Sequence, residues 1–240
     1  MTHSPVRAGV NELITYYDDA TGERHGLTAG ELGSWTAGTA ALLTDGCGLR
    51  PGSRAAVLLP PHWQTAAVLL GAWSAGIEVS FRGWATAGLE PAGDPLDATF
   101  VDRRRIGSWL DEVPAGRHQF ALDLSPTTAP APEGYLDFVA AVRPHLGAAP
   151  PAATLGAGDV ATVDGSTFGA YESIAADVAA TRGFGRGDRV LVDAAASEQP
   201  LIWLLAPLTV GASLVLCANL DRLRLDDRIA AEQVTHVLAG

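Results

Sequence analysis

A block of sequence used twice limits what this chain can fold into. From Gly48 it reads G-L-R-P-G-S-R-A-A-V, then an apolar run, then A-G-I-E-V-S-F, ending at Phe81. From Gly183 it reads G-F-G-R-G-D-R-V-L-V, then a mostly apolar run, then V-G-A-S-L-V-L-C, ending at Cys217. Gly52 and Gly187 are each followed two residues later by an arginine, Arg54 and Arg189. Gly76 and Gly211 then fall at the same separation, with no gap. Turn, strand, helix, glycine and strand at a shared spacing describe one βαβ unit used twice. The strand segments are continuous apolar runs, as in sheets covered on both faces.

Around this pair the remaining segments alternate. Leu13 to Tyr17 and Glu23 to Leu27 read as a hairpin across the turn residues 18–22. Thr28 followed by Glu31 is a capping box, predicting a helix to about Thr44 that buries Leu32, Trp35, Leu42 and Leu43. The first repeat predicts a strand at 53–59, a helix at 62–74 and a strand at 77–81. Strands are then expected at 97–101 and 119–123, and helices at 103–111 and 135–142. The Pro-rich stretch 143–151 is read as the internal boundary, giving subdomains 1–150 and 151–240, with one compact domain overall as the alternative. Beyond it come a strand at 159–163, a helix at 168–181, the second repeat, a helix ending near Gln233 and a strand at 234–238. This order gives an α/β fold of mainly parallel sheets with flanking helices.

Composition removes several function classes. The formal charge of −11 disfavours nucleic acid and anionic membranes, which demand a basic face. All sixteen basic residues are arginine, so this sequence offers no Schiff-base lysine and no ammonium for a phosphate. Cys47 and Cys217 are far apart, and the six histidines are scattered without metal-ligand spacing, so no metal site is expected. The N-terminus lacks the pattern of a secretory signal, and a cytoplasmic location is expected. The apolar stretch from Pro200 to Cys217 has the length of a short membrane span, but Pro207 and Gly211 interrupt it, and the repeat reads it as helix and strand.

The segments L-T-A-G-E-L (27–32), G-L-R-P-G-S-R-A-A-V-L-L-P (48–60), A-W-S-A-G-I-E-V (72–79), R-G-D-R-V-L-V (186–192), L-L-A-P-L-T-V-G-A-S-L-V-L (204–216) and A-A-E-Q-V-T-H-V-L-A-G (230–240) carry a resemblance. In this order the chain resembles the N-terminal part of the AMP-forming adenylate synthetases: acyl-CoA synthetases, luciferases and adenylation domains. The resemblance implies that an ATP-phosphate loop, rich in Ser, Thr and Gly and ending in Pro-Lys-Gly, belongs between a strand and the following helix. Here that place is held by Val163-Asp164-Gly165-Ser166-Thr167, with Thr167 matching the family's helix-capping residue and the lysine absent. The adenine motif, the ribose-binding aspartate and the lid with its lysine follow the segment matched here. The Phe/His-rich stretch that lines an acyl pocket is replaced by Ala194-Ala195-Ala196-Ser197.

The expected function is therefore an adenylate-synthetase-like domain without catalysis, acting in protein interaction or small-ligand binding, as a homo-oligomer or with a protein partner. It takes no cofactor. The alternative is an AMP-forming ligase fragment that uses ATP and Mg²⁺ together with a partner chain. Asp164, Gly165, Ser166 and Thr167 are the candidate anion-binding residues, weighed against a plain turn and helix cap. Asp193 and Glu198, taken with Asp164, are weighed as a Mg²⁺ carboxylate set against solvated acids. Ser166 with His236 is weighed as a nucleophile pair without any G-x-S-x-G elbow. Trp63, Trp73 and Trp203 read as core, and Trp84 and Trp109 as partner-facing.

Overall fold

The computed structural model describes residues 12–83, 96–108, 112–125, 129–151 and 155–238. Trp84 and Trp109, with the N-terminal start, lie outside the described residues. In chain order the elements are β1 (Glu12–Asp18), β2 (Glu23–Thr28), α1 (Ala29–Ala41), a π-helical turn (Leu42–Gly46), β3 (Arg54–Leu58), α2 (Trp63–Ser74), β4 (Glu78–Phe81) and β5 (Leu96–Asp102). They continue with β6 (Gly116–Leu122), β7 (Leu136–Asp137), α3 (Phe138–Val142), α4 (Phe168–Arg182), β8 (Arg189–Asp193) and a second π-helical turn (Leu201–Leu205). The chain closes with α5 (Ala206–Thr209), β9 (Ser213–Ala218), α6 (Leu225–Glu232) and β10 (His236–Leu238).

Two compact units result, Met1–Glu31 with Glu172–Gly240, and Leu32–Tyr171. The chain thus changes units near Glu31 and near Tyr171, not at residue 150. The Pro-rich stretch 143–151 lies inside the second of these units. The N-terminal hairpin is the reason: β1 completes the sheet built by β8, β9 and β10.

The Leu32–Tyr171 unit holds a sheet of order β4-β3-β5-β6-β7, parallel throughout. The other unit holds the order β10-β8-β9-β1-β2, parallel except for the antiparallel β1–β2 hairpin. Ala55, Ala56, Val57 and Leu58 of β3 and Val190, Leu191 and Val192 of β8 are wholly inaccessible. This is why neither strand shows polar alternation.

The repeat is reproduced hydrogen bond for hydrogen bond. Gly52 N–H donates to Gly76 O at 2.9 Å, and Gly187 N–H to Gly211 O at 3.1 Å. Glu78 N–H donates to Ser53 O and Ser213 N–H to Asp188 O, both at 2.8 Å. Gly52 and Gly187 have φ of 86° and 85°, a left-handed conformation that a Cβ disfavours, which fixes glycine at both positions. The copy reaches a further strand. Arg54 N–H donates to Asp97 of β5, and Arg189 N–H to Thr235 beside β10, both at 3.0 Å.

Local signals held in several places. Thr28 N–H donates to the Glu31 carboxylate at 2.8 Å, and Glu31 N–H to the Thr28 hydroxyl at 3.2 Å, closing the capping box. Trp203 is fully buried and Trp63 and Trp73 nearly so, while Trp35 is only half-buried. Three expectations are corrected, and the reading of 200–217 as helix and strand is kept. The described part of 103–111 is a 3-10 turn over Arg103–Arg105, because Asp102 caps Arg104 N–H and a turn follows at once. The 135–142 helix begins as strand β7 and turns helical only at Phe138, where Asp137 caps it. The 159–163 segment makes only isolated bridges, Val79 with Thr162 and Val160 with Thr167, because it bends back upon itself. The stretch from Pro200 to Cys217 folds as a π-turn, the short α5 and β9; among the described residues no helix is long and apolar enough to cross a membrane.

Helices α1 and α2 approach closely at Gly71. A Cβ built there meets Thr39 Cβ at 2.6 Å and Thr36 O at 2.9 Å. Alanine is the better helix former, yet here it meets backbone. Gly71→Ala is expected to destabilise the protein by about 1–3 kcal/mol in urea unfolding; a gain in stability would contradict this packing.

Candidate functional site

The sequence points to residues 164–167, and the surrounding chain explains their geometry. Val79 N–H of the edge strand β4 donates to Ala161 O at 3.0 Å, and Val163 N–H donates back to Val79 O at 3.2 Å. The Trp73 indole N–H also donates to Ala161 O at 3.1 Å, and the Tyr171 ring stands edge-on to that indole with centroids 6.0 Å apart. Residues 161–163 are thereby fixed along the sheet edge, and the chain must then reverse into α4. Gly165 makes the reversal with φ of 91°, its N–H bonded to Thr162 O at 2.9 Å.

Asp164 closes this turn upon itself. Its carboxylate accepts the Thr162 hydroxyl and the Ser166 N–H, the latter at 3.1 Å. The Thr162 hydroxyl first, then the Ser166 N–H and side chain, hold the Asp164 carboxyl below the ordinary carboxylate range. The group is exposed and ionised at neutral pH, so it sets a negative charge at the mouth of the turn.

The start of α4 would be the natural place for an anion, because its first N–H groups lack helical partners. Here all of them are occupied from within the chain. Phe168 N–H donates to Asp159 O at 2.9 Å, and Gly169 N–H to Ala157 O at 2.8 Å. Ala170 N–H donates to the Thr167 hydroxyl at 3.3 Å, and Tyr171 N–H to Thr167 O at 3.0 Å. Gly169 is required by this closure, since a Cβ there meets Ala157 O at 2.9 Å. The sequence signalled the Thr167 cap. The two carbonyls that fold back from residues 157 and 159 carried no signal, because any residue type supplies a carbonyl.

The other expected groupings have separate destinations. Asp164 belongs to one unit and Asp193 and Glu198 to the other. Asp193 is buried at the end of β8, accepts Ala195 N–H at 3.1 Å and meets Arg222 at 3.4 Å. The Glu198 carbonyl accepts the Trp203 indole N–H at 3.2 Å. No group of three or more His, Cys, Asp and Glu fit to hold a metal occurs among the described residues. Ser166 is in the Leu32–Tyr171 unit; His236, in the other, meets Asp188 at 3.2 Å and packs on Phe184.

Sequence reasoning passed over a buried charge cluster where β1, β2 and β8 meet the end of α6. Glu232, 2% exposed, accepts from Arg189 and from the Tyr17 hydroxyl, the second at 2.5 Å. Arg24 bridges Glu232 at 3.3 Å and Glu12 at 2.7 Å. The Arg54–Arg189 repeat was the signal available. The two arginines open equivalent strands, and the second has acquired a buried partner.

No family model matches the chain. A Mycobacterium tuberculosis protein described as a TIGR03089 family protein is 39% identical over 237 residues, covering 95% of this chain and 92% of its own length. Among solved structures, a Brucella canis acyl-CoA synthetase superposes with a TM-score of 0.69 at 20% identity, over 95% of this chain and 44% of its own. The anthranilate CoA ligase AuaEII, solved with anthranoyl-AMP, gives 0.66 at 18% identity, over 97% and 47%. The N-terminal domain of FACL13 from Mycobacterium tuberculosis gives 0.64 at 18%, over 94% and 58%. The chain spans about half the length of these solved structures, and at such identities they establish the fold. At 39% identity over nearly its whole length, this chain belongs to the TIGR03089 family, and its fold is that of acyl-CoA synthetase N-terminal domains.

Proposed function

We propose that this protein is an adenylate-synthetase-like domain that does not activate carboxylic acids and acts by protein interaction or by binding a small ligand. The observation that carries this reading is the occupied helix start. Every N–H that opens α4 is bonded within the chain, and the Asp164 carboxylate stands beside them. Adenylation must neutralise charge at the α-phosphate and the departing pyrophosphate. Each missing donor typically costs roughly 2.7–4 kcal/mol of barrier. The N–H groups of Phe168, Gly169, Ala170 and Tyr171 are already taken, and the sequence has no lysine to stand in for them. With ATP, Mg²⁺ and a panel of carboxylic acids, pyrophosphate exchange is expected to stay at the level of a protein-free blank. Robust exchange with any acid overturns the reading.

A second reading rests on the extent of the structural match. The solved relatives continue well beyond the segment that this chain matches. A ligase-type activity completed by a partner chain predicts that this protein binds ATP or AMP by itself. A flat calorimetric titration with both nucleotides removes that reading.

A further inference from the structure

A second cleft lies in the same unit as the turn at 164–167 and shares no lining residue with it. It measures about 450 Å³ and is walled by Leu49, Pro51, Ala75 and Pro151 among other small apolar residues. Three polar side chains join that wall: Thr44, Asp45 and Arg50. Local structure explains their placement. The π-helical turn Leu42–Gly46 widens the end of α1 and carries Thr44 and Asp45, with the Thr44 hydroxyl donating to Ala40 O at 3.1 Å. Such turns recur at functional sites. The chain then reverses through Gly48, at φ of 70°, so Leu49, Arg50 and Pro51 return along the same cleft. The Pro-rich stretch that the sequence suggested as a boundary supplies the opposite wall.

Asp45 and Arg50 line one cleft, yet neither has an ion-pair partner among the described residues. Among the described residues, Asp45 has within hydrogen-bond reach only the Thr44 hydroxyl, at 3.2 Å and shared with Ala40 O, and the Arg50 guanidinium makes no hydrogen bond. One acceptor and one planar donor, set at an apolar recess of ordinary ligand-site size, match a molecule with an ammonium, a carboxylate and an apolar body. Such a molecule is net neutral, so the chain's charge of −11 does not repel it, whereas a nucleotide or fatty acid would be opposed.

We infer that this cleft binds an apolar zwitterion of the α-amino acid or dipeptide class, with Arg50 taking the carboxylate, Asp45 the ammonium, and Leu49, Pro51 and Pro151 the side chain. The site lies at the N-terminal ends of β3 and β4, beside Pro51 and Ala75, so it is distinct from the turn before α4. Isothermal titration of the whole protein with L-leucine, L-phenylalanine and L-leucyl-L-leucine tests it in the absence of ATP. At least one of these is expected to bind saturably. N-acetyl-L-leucine and L-leucinamide, each lacking one charge, are expected to bind at least about tenfold more weakly than L-leucine, as a lost charge-assisted hydrogen bond implies. Arg50→Gln and Asp45→Asn are expected to weaken the zwitterion by a similar factor, with circular dichroism confirming the fold. Absence of heat for all three zwitterions overturns the proposal. So does equal binding of the blocked analogues, a result that stands even where a variant fails to fold. Neither outcome bears on pyrophosphate exchange, so this inference and the proposed function fail separately.

Discussion

Replacing Glu232 by alanine is expected to destabilise the protein by about 3–5 kcal/mol, the effect of breaking a buried ion pair from one side. Arg189 is 13% exposed and Glu232 2% exposed, so neither charge recovers full hydration when the other is removed. Burial by itself raises the Glu232 pKa. Hydrogen bonds from Tyr17 and Arg189, with the charges of Arg189 and Arg24, outweigh it and leave the folded carboxyl below its ordinary value. Glu12 is lowered in the same way, burial being overcome by Arg24 and Thr15. A depressed carboxyl contributes stability above its unfolded pKa and loses it as pH falls through the folded one. The wild-type protein should therefore weaken below about pH 4.5, near the unfolded glutamate range. The gap between it and Glu232→Ala should narrow over that interval. Urea midpoints measured from pH 7 down to pH 3 give both numbers. Removing both charges, as Arg189→Met with Glu232→Leu, should cost less than the single change, because no orphaned guanidinium remains. A single variant within about 0.5 kcal/mol of wild type at pH 7 would mean that water reaches Arg189.

Trp203→Ala should cost a comparable amount, about 3–5 kcal/mol, as a large aromatic lost from a close-packed interior. Trp203 is wholly inaccessible, and its π-helical turn sits between β8 and β9 in the chain. The indole also donates to Glu198 O at 3.2 Å, fixing the loop after β8 to the turn that follows. Trp203→Phe should fall between wild type and alanine. It restores most of the volume and leaves the Glu198 carbonyl without its donor, a deficit of about 1–3 kcal/mol. Thermal or urea unfolding of the three proteins gives the order. Phenylalanine no better than alanine would assign the effect to the hydrogen bond, and alanine within about 1 kcal/mol of wild type would refute a packed site.

Much of this fold was readable because its signals are local or periodic. Gly52, Gly76, Gly187 and Gly211 mark turns that need left-handed backbone, and each lies where the repeat requires it. Thr28 and Glu31 announce a helix start through their own side chains. The division into units was not readable, because it depends on which strand β1 chooses. Ile14 pairs with Leu214, and nothing near Ile14 in sequence encodes that choice. Strand β7 was missed because two residues carry no period. The candidate turn was half legible: Thr167 is a cap by residue type. Asp159 and Ala157 act through carbonyls, so the fact that they fill the start of α4 emerges only in three dimensions.

The pairing of β1 with β9 also sets an order of events during synthesis. The hairpin of β1 and β2 leaves the ribosome before the other strands of its sheet, and a two-stranded hairpin alone is marginal in water. Its parallel neighbour spans Ser213–Ala218, near the other end of the chain. The Leu32–Tyr171 stretch has all five strands of its sheet in hand well before then. Translation thus delivers one sheet whole while an orphaned tyrosine-rich ribbon waits for its mate. Stalling or cleavage ahead of Ser213 would leave that ribbon open to foreign edges, so the interval between synthesis of β2 and of β9 is a vulnerable one for this sheet.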